Sequence, residues 1–278
     1  MMSLYESVSR ECSKHITTRY STSFSLGIRM FSPRMRPPIY SIYGFVRFAD
    51  EIVDTFHDKD KAELLDEFWK DTHKAIDRKI SLNPVLQAFQ EVVHNYKIER
   101  ELIDAFLRSM EMDLDHNRYH QDLYEEYIYG SAEVVGLMCL RVFCEGDEEM
   151  YQSLKSPACS LGSAFQKVNF LRDMKSDFKE RKRVYFPGVS YHEFCDADKS
   201  AIECDIQKDF DAAYEGIKRL PKGARLGVYV AYVYYQNLLQ KISSSNAEII
   251  RNKRLRVNDS KKIYLLVTSS VKNRLNMI

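Results

Sequence analysis

The chain has 278 residues, 45% hydrophobic and 29% charged, the make-up of a globular protein rather than a disordered or fibrous one. Its 41 Lys and Arg balance 40 Asp and Glu; the resulting charge of +1 provides no global field for nucleic acid, which is excluded as a partner. Seven Pro and ten Gly are too few for a turn-rich β architecture, and the six cysteines follow no CxxC or zinc spacing, so buried reduced thiols are expected.

Hydrophobic periodicity of three and four dominates, and strand-like alternation is nearly absent. In chain order, helices are predicted at residues 3–20, 37–57, 60–79, 85–95, 98–116, 121–145, 147–155, 157–179, 198–219, 224–244 and 259–275. Pro37, Pro38, Pro84, Pro157 and Pro221 stand close to helix starts, where a missing N–H costs little. The clearest irregular stretch is residues 180–196. The opening residues are polar, with acids among the bases, unlike a secretory signal, and no apolar run reaches 18 residues, so no transmembrane helix is expected. Without a linker or internal repeat, residues 1–278 read as a single all-α domain, expected in the cytoplasm.

Two of these helices carry the same polar stripe. Tyr43, Arg47, Asp50 and Asp54 stand at offsets 0, 4, 7 and 11; Gln166, Asn169, Asp173 and Asp177 stand at 0, 3, 7 and 11. At ~100° per residue, each set falls within about an 80° to 100° sector of one face. Ile42, Phe45, Val46, Phe48, Ala49, Ile52 and Val53 hem in the first stripe, and a helix apolar around most of its girth is normally buried. Buried carboxylates are costly unless paired with cations or metal, so four inward acids ask for a shared cationic partner.

Asp50 and Asp54 are one helical turn apart, as are Asp173 and Asp177, and each pair can ligate a hard divalent ion. Magnesium, with manganese as an alternative, takes oxygen ligands and usually shares its shell with water and substrate phosphates. Arg47, Arg172 and the amides of Gln166 and Asn169 offer donors to phosphate oxygens. Together the parts specify a metal-bridged diphosphate site inside a helical bundle. The competing reading of each DxxxD is a solvated helix face; the shared phase of both pairs with other polar groups on apolar helices argues against it. Glu91 and His94 form an ExxH of the kind di-iron bundles use, but Asp54/His57 and Asp113/His116 are poor substitutes for the rest of such a set. His94 is expected to be an ordinary amphipathic-helix residue.

With these residues assembled, the chain resembles the squalene/phytoene synthase family, which joins two isoprenoid diphosphates head to head. YGFVRFADEIVD, from Tyr43 to Asp54, is similar to the family's first aspartate-rich signature. QKVNFLRDMKSD, from Gln166 to Asp177, is similar to the second, and RVYFP from Arg183 follows at the expected place. The stretch from Tyr127 to Met138 resembles the family's central helix, STSF from Ser21 resembles its N-terminal flap, and MEMDL from Met110 a further short signature. There are departures. Tyr20 and Thr22 stand where many relatives have basic or imidazole side chains, and Ser131 and Glu133 stand where relatives often have Val and Gly. Glu133 is expected to face outward.

The resemblance implies an isoprenoid-synthase-type helical bundle around a central cavity capped by the two acidic helices. It implies that Asp50, Asp54, Asp173 and Asp177 are catalytic and hold the metal. It assigns substrate and diphosphate binding to Ser21, Ser23, Phe24, Tyr43, Arg47, Tyr129, Gln166, Asn169 and Arg172. Tyr229, Tyr232, Tyr234 and Tyr235 belong to the last cavity-forming helix, and of these Tyr235 is expected to reach a diphosphate, with plain bundle packing as the alternative. Phe24, Tyr43, Phe165, Leu137 and Met138 are candidate lining residues for a dry cavity that protects cations from water. The implied substrate is geranylgeranyl diphosphate, two molecules of which would give phytoene through a cyclopropylcarbinyl diphosphate. Farnesyl diphosphate, giving dehydrosqualene or squalene, is the alternative. Squalene needs NADPH, which is not expected; no GxGxxG is present, although an NADPH site can be built without one, and the C-terminal anchor usual in eukaryotic squalene synthases is not seen. DExxD at Asp50 is also a weak fit to chain-elongating enzymes. A rival of another class is a non-catalytic helical assembly factor, but such relatives tend to lose the aspartates. The basic segment with Arg251, Lys253, Arg254, Arg256, Lys261 and Lys262 reads as a solvated helix end or as a peripheral membrane contact.

Overall fold

The computed structural model describes residues 2–115 and 119–278 and contains no strand among them. His116, half of the discounted Asp113/His116 pair, lies outside the described residues. The described helices are α1 (Met2–Tyr20), α2 (Thr22–Arg29), α3 (Arg36–Thr55), α4 (Lys61–Arg78), α5 (Pro84–Tyr96), α6 (Arg100–Asp115), α7 (Gln121–Ile128), α8 (Val134–Cys144), α9 (Glu148–Arg181), α10 (Asp196–Arg219), α11 (Lys222–Ser243), α12 (Ala247–Asn252) and α13 (Asp259–Arg274). A π-helical turn, Tyr129–Glu133, joins α7 to α8. Several starts are fixed by side-chain caps that satisfy orphan N–H groups: Asp60 accepts from the Glu63 N–H at 3.0 Å, and Asp147 from the Met150 N–H at 2.9 Å.

Two apolar cores form the body. The first gathers α3 to α6 and α8 about Phe45, whose ring stacks on Phe89 at 3.9 Å. The second gathers much of α9 with α10, α11 and the segment at 184–194, and in it Phe170 stacks on Tyr185 at 4.0 Å. The π-helical turn passes between α6 and α9 at very close range. A Cβ on Gly130 would lie 2.4 Å from the Ala105 carbonyl oxygen, and one on Gly162 would lie 2.8 Å from that of Ala132. Only hydrogen fits at either position.

The largest difference from the sequence reading is at Pro157, where the periodicity predicts two helices and one runs through. Proline has no N–H for the carbonyl of Ser153, which would leave a hole in the helix ladder. The guanidinium of Arg219 on α10 donates to that carbonyl instead. The proline ring lodges against Gly216, where a Cβ would come within 2.5 Å. The missing bond is therefore replaced by a neighbour. Helices α2 and α12 are too short to show a period and go unpredicted. Gln121–Cys144 is, by length and composition, apolar enough to cross a membrane, contrary to expectation; Glu133 and Arg141 interrupt the run in sequence. Over half of its apolar window is buried in the bundle. All six cysteines are free, with Cys144 buried as expected but Cys195 and Cys204 exposed.

Candidate active site

A cavity of about 1030 Å³ opens between the two cores, and both polar stripes face into it. Helix α9 lines it from Leu154 to Arg181, roughly 40 Å of helix at 1.5 Å per residue. The C-terminal ends of α3 and α9 make a charged mouth. Toward the N-terminal half of α9 the lining turns apolar, with Phe31, Phe143, Leu154 and Ile217; Phe31 and Phe143 meet at 5.0 Å.

Each acid at the mouth faces an arginine. Arg47 pairs with Asp50 at 3.0 Å and also with Glu51. Arg172 pairs with its neighbour Asp173 at 2.5 Å, and Arg254 reaches the same carboxylate at 2.7 Å. Arg181 spans the mouth, 3.0 Å from Asp54 on α3 and 2.8 Å from Asp177 on α9. Behind it lies a buried network. Arg183 sits 3.0 Å from Asp113, whose other oxygen accepts from the Tyr127 hydroxyl at 2.9 Å, and the same guanidinium is 3.9 Å from Asp54.

These arginines do not fully neutralise the acids. Burial, with Asp54 adding to it, pushes Asp50 up to about 7; burial, with Asp173 adding to it, pushes Asp177 up to about 7. Carboxylates held this high mark a place short of positive charge. Among the described residues no group of three or more His, Cys, Asp or Glu converges on one point. A magnesium ion does not need such a group, since it takes one or two carboxylates and completes its shell with water and phosphate. The donor set, hard oxygens in two pairs across a cavity mouth, fits such an ion.

Other expected residues fall into place, with exceptions. Ser21 caps α2, accepting from the Phe24 N–H at 3.2 Å, and also hydrogen-bonds Tyr43, whose hydroxyl burial pushes up to about 12. Phe24 and Tyr43 line the cavity with rings 5.6 Å apart. Tyr235 stacks on Phe165 at 4.0 Å and donates to the Asn169 amide oxygen at 3.2 Å, while Gln166 donates to Ser131 at 3.2 Å. Tyr20 carries the Arg47 guanidinium over its ring at 4.4 Å.

Tyr129 is not in the cavity. It lies about 200° around the helix from Tyr127 and is 41% exposed, while Tyr127 lines the site. Leu137 and Met138 point away into the first core, and Val135, Gly136, Cys139 and Leu140 take the lining. Ser23 faces a separate groove beside α13. Tyr229, Tyr232 and Tyr234 likewise do not line the cavity. Glu133 does turn away from the cavity, yet toward Cys159 rather than solvent. His94 binds the Ile76 carbonyl at 2.8 Å.

Sequence reasoning misses Arg181, Arg183, Asp113 and Arg254 as site residues. Arg181 carries a signal, since it stands four residues past Asp177 and continues the second stripe. Asp113 lies in a short signature that gives it no role. Arg254 reads in sequence as part of a solvated tail.

A model of the family described as "Squalene/phytoene synthase" matches residues 17–203, well over half of the chain. A phytoene synthase of Arthrospira platensis is 28% identical, with 96% of this chain and 94% of that protein covered. The chloroplastic phytoene synthase 1 of Solanum lycopersicum is 27% identical over 93% of this chain, which spans 66% of the tomato protein. Among solved structures, that of a dehydrosqualene synthase superposes with a TM-score of 0.82 at 21% identity, covering 97% of this chain and 98% of that one. At that identity the likeness shows the fold.

Proposed function

The chain belongs to the squalene/phytoene synthase family of prenyltransferases, and from that premise we propose that it condenses two molecules of geranylgeranyl diphosphate head to head into phytoene. The observation that carries the reading is the pair of acid stripes meeting across the mouth of one long cavity with an apolar far end. Asp50, Asp54, Asp173 and Asp177 would hold magnesium, which when bound supplies positive charge to the two diphosphates. Arg47, Arg172, Arg181 and Arg254 stand at the same mouth with donors for phosphate oxygens. When the first carbon–oxygen bond breaks, the electron pair leaves with diphosphate, and these guanidiniums stabilise the charge that develops there. Tyr235 and Asn169, fixed to each other, orient the reacting ends below the charged rim. The aromatic and aliphatic wall keeps water from the allylic cation. The double bond of the second substrate attacks that cation and a proton leaves; the second diphosphate then departs with its electron pair, and loss of a second proton closes the sequence.

Incubation with geranylgeranyl or farnesyl diphosphate and Mg²⁺, with and without NADPH, followed by product analysis, tests the reading. Phytoene from the C20 substrate without NADPH is the expected result. No turnover of either substrate overturns it, and a C30 product alone reassigns the chain length.

A further inference from the structure

The outer face of α13 carries a stripe that the proposed reaction does not use. Ile263, Tyr264, Val267, Val271 and Leu275 are each more than half exposed, and at ~100° per residue they share a sector of about 120°. On the opposite side Leu265 and Ser269 are buried, and α13 packs on α11. A helix with one apolar side seated on the bundle and another facing out departs from the polar outer face of an ordinary surface helix.

Positive charge surrounds this stripe. Lys261 stands near its start and Lys272 and Arg274 near its end, all exposed, with the Lys261 ammonium 5.1 Å over the Tyr264 ring. Residues 251–278 hold eight Lys and Arg against Asp259 alone, in a chain whose totals are 41 and 40. Three of the eight are engaged internally: Arg251 donates to the carbonyls of Tyr191 and His192, Arg254 pairs with Asp173, and Lys262 pairs with Asp259 at 3.0 Å. Lys253 and Arg256 remain exposed.

A small groove lies between this face and the cavity. Ser23, Leu26, Val230, Tyr234, Leu265 and Leu266 line it, between α2, α11 and α13. Phe24 and Tyr235 border both the groove and the central cavity. Leu266 follows Ile263 by three residues, so the groove runs along one edge of the exposed stripe.

We propose that α13 docks on an anionic lipid bilayer. The apolar stripe enters the boundary between headgroups and acyl chains, Tyr264 sits at the interface, and Lys261, Lys272 and Arg274 meet anionic headgroups. The surplus of positive charge selects this occupant: a second copy of α13 would set like charges against each other. Docking in this pose places the groove beside the membrane, with the cavity behind the Phe24 and Tyr235 rings. The docking does not rest on the reading of the cavity as a prenyl-diphosphate site.

The full chain is floated, without substrate, with vesicles of phosphatidylcholine alone or mixed with phosphatidylglycerol. Flotation with the anionic vesicles only, weakened by high salt, is expected. The double variant Val267→Asp/Val271→Asp lowers partitioning about tenfold or more, as does Lys261→Glu/Lys272→Glu/Arg274→Glu, with the far-ultraviolet circular dichroism unchanged. If the Asp pair disturbs α13, Val267→Ser/Val271→Ser gives the same readout. No flotation with anionic vesicles, or equal flotation by parent and variants, overturns the proposal. A dimer in sedimentation that V267D/V271D dissociates, without vesicle binding, also overturns it and assigns the stripe to a second copy. Failure of the enzyme reading is a separate result: no turnover in detergent while flotation persists.

Discussion

The mouth and the far end of the cavity are made by the same helices on opposite principles. At the mouth, Asp54, Asp177 and Arg181 are held by charge at 3.0 and 2.8 Å. At the far end, Phe31 and Phe143 are held by shape alone. Charge is intolerant of isosteric replacement, because removing one partner strands another in a poorly solvated place. Shape tolerates replacement and answers it with a change of volume. On the proposed reading, one end decides whether reaction occurs, and the other what length of substrate fits.

Substitutions at each end separate these roles. Asp50→Asn or Asp173→Asn removes charge with little change of volume, and turnover falls on the order of 10³-fold or more while circular dichroism keeps its helical signal. Loss of helicity in both variants would instead make the acids structural. Arg183→Ala, just behind the mouth, leaves Asp113 buried without its cation and destabilises the fold by about 3–5 kcal/mol, read by denaturant unfolding. A change under about 1 kcal/mol would mean that Tyr127 and Tyr185 satisfy Asp113 without it.

The far end answers differently. A Cβ on Gly227 would fall 2.3 Å from the Phe31 ring, so Gly227→Ala must displace that ring and shorten the cavity. Competition between C15 and C20 diphosphates should move toward the shorter by about tenfold, with total turnover less affected than in the acid variants. An unchanged ratio would place chain-length selection elsewhere.

The last contrast is in pH. Asp50 and Asp177 at about 7 and Asp113 at about 6 all lie above the free carboxylate value of 3.8. The folded state binds these protons more tightly than the unfolded chain. Their contribution to stability is whole below about pH 4 and is lost as pH rises through about 6 to 7. The melting temperature of metal-free protein thus falls from pH 5 to pH 8, and added Mg²⁺ with inorganic diphosphate reduces the difference. A melting temperature that rises over this range would contradict the assignment.

The same contrast explains what is legible in the sequence. A polar stripe on an apolar helix is conspicuous, so Asp50, Asp54, Asp173, Asp177, Arg47 and Asn169 can be placed from residue spacing alone. The far end is built of apolar residues indistinguishable in sequence from those of the cores, and Leu137 and Met138 are misplaced for that reason. Tyr129 is carried over by resemblance, although its angular position opposes Tyr127. Arg183 and Arg254 come from irregular segments, where no period gives direction, and their partners Asp113 and Asp173 are 70 and 81 residues away. Pro157 misleads because its compensation comes from another helix.

That compensation makes the order of substitutions matter. While Pro157 is in place, any side chain at position 216 collides with its ring, and loss of Arg219 strips the Ser153 carbonyl of its donor. Were position 157 to carry an N–H, both of the other positions would be released to drift. A lineage can leave this arrangement through Pro157 in one step, but can return only after Gly216 and Arg219 are already present.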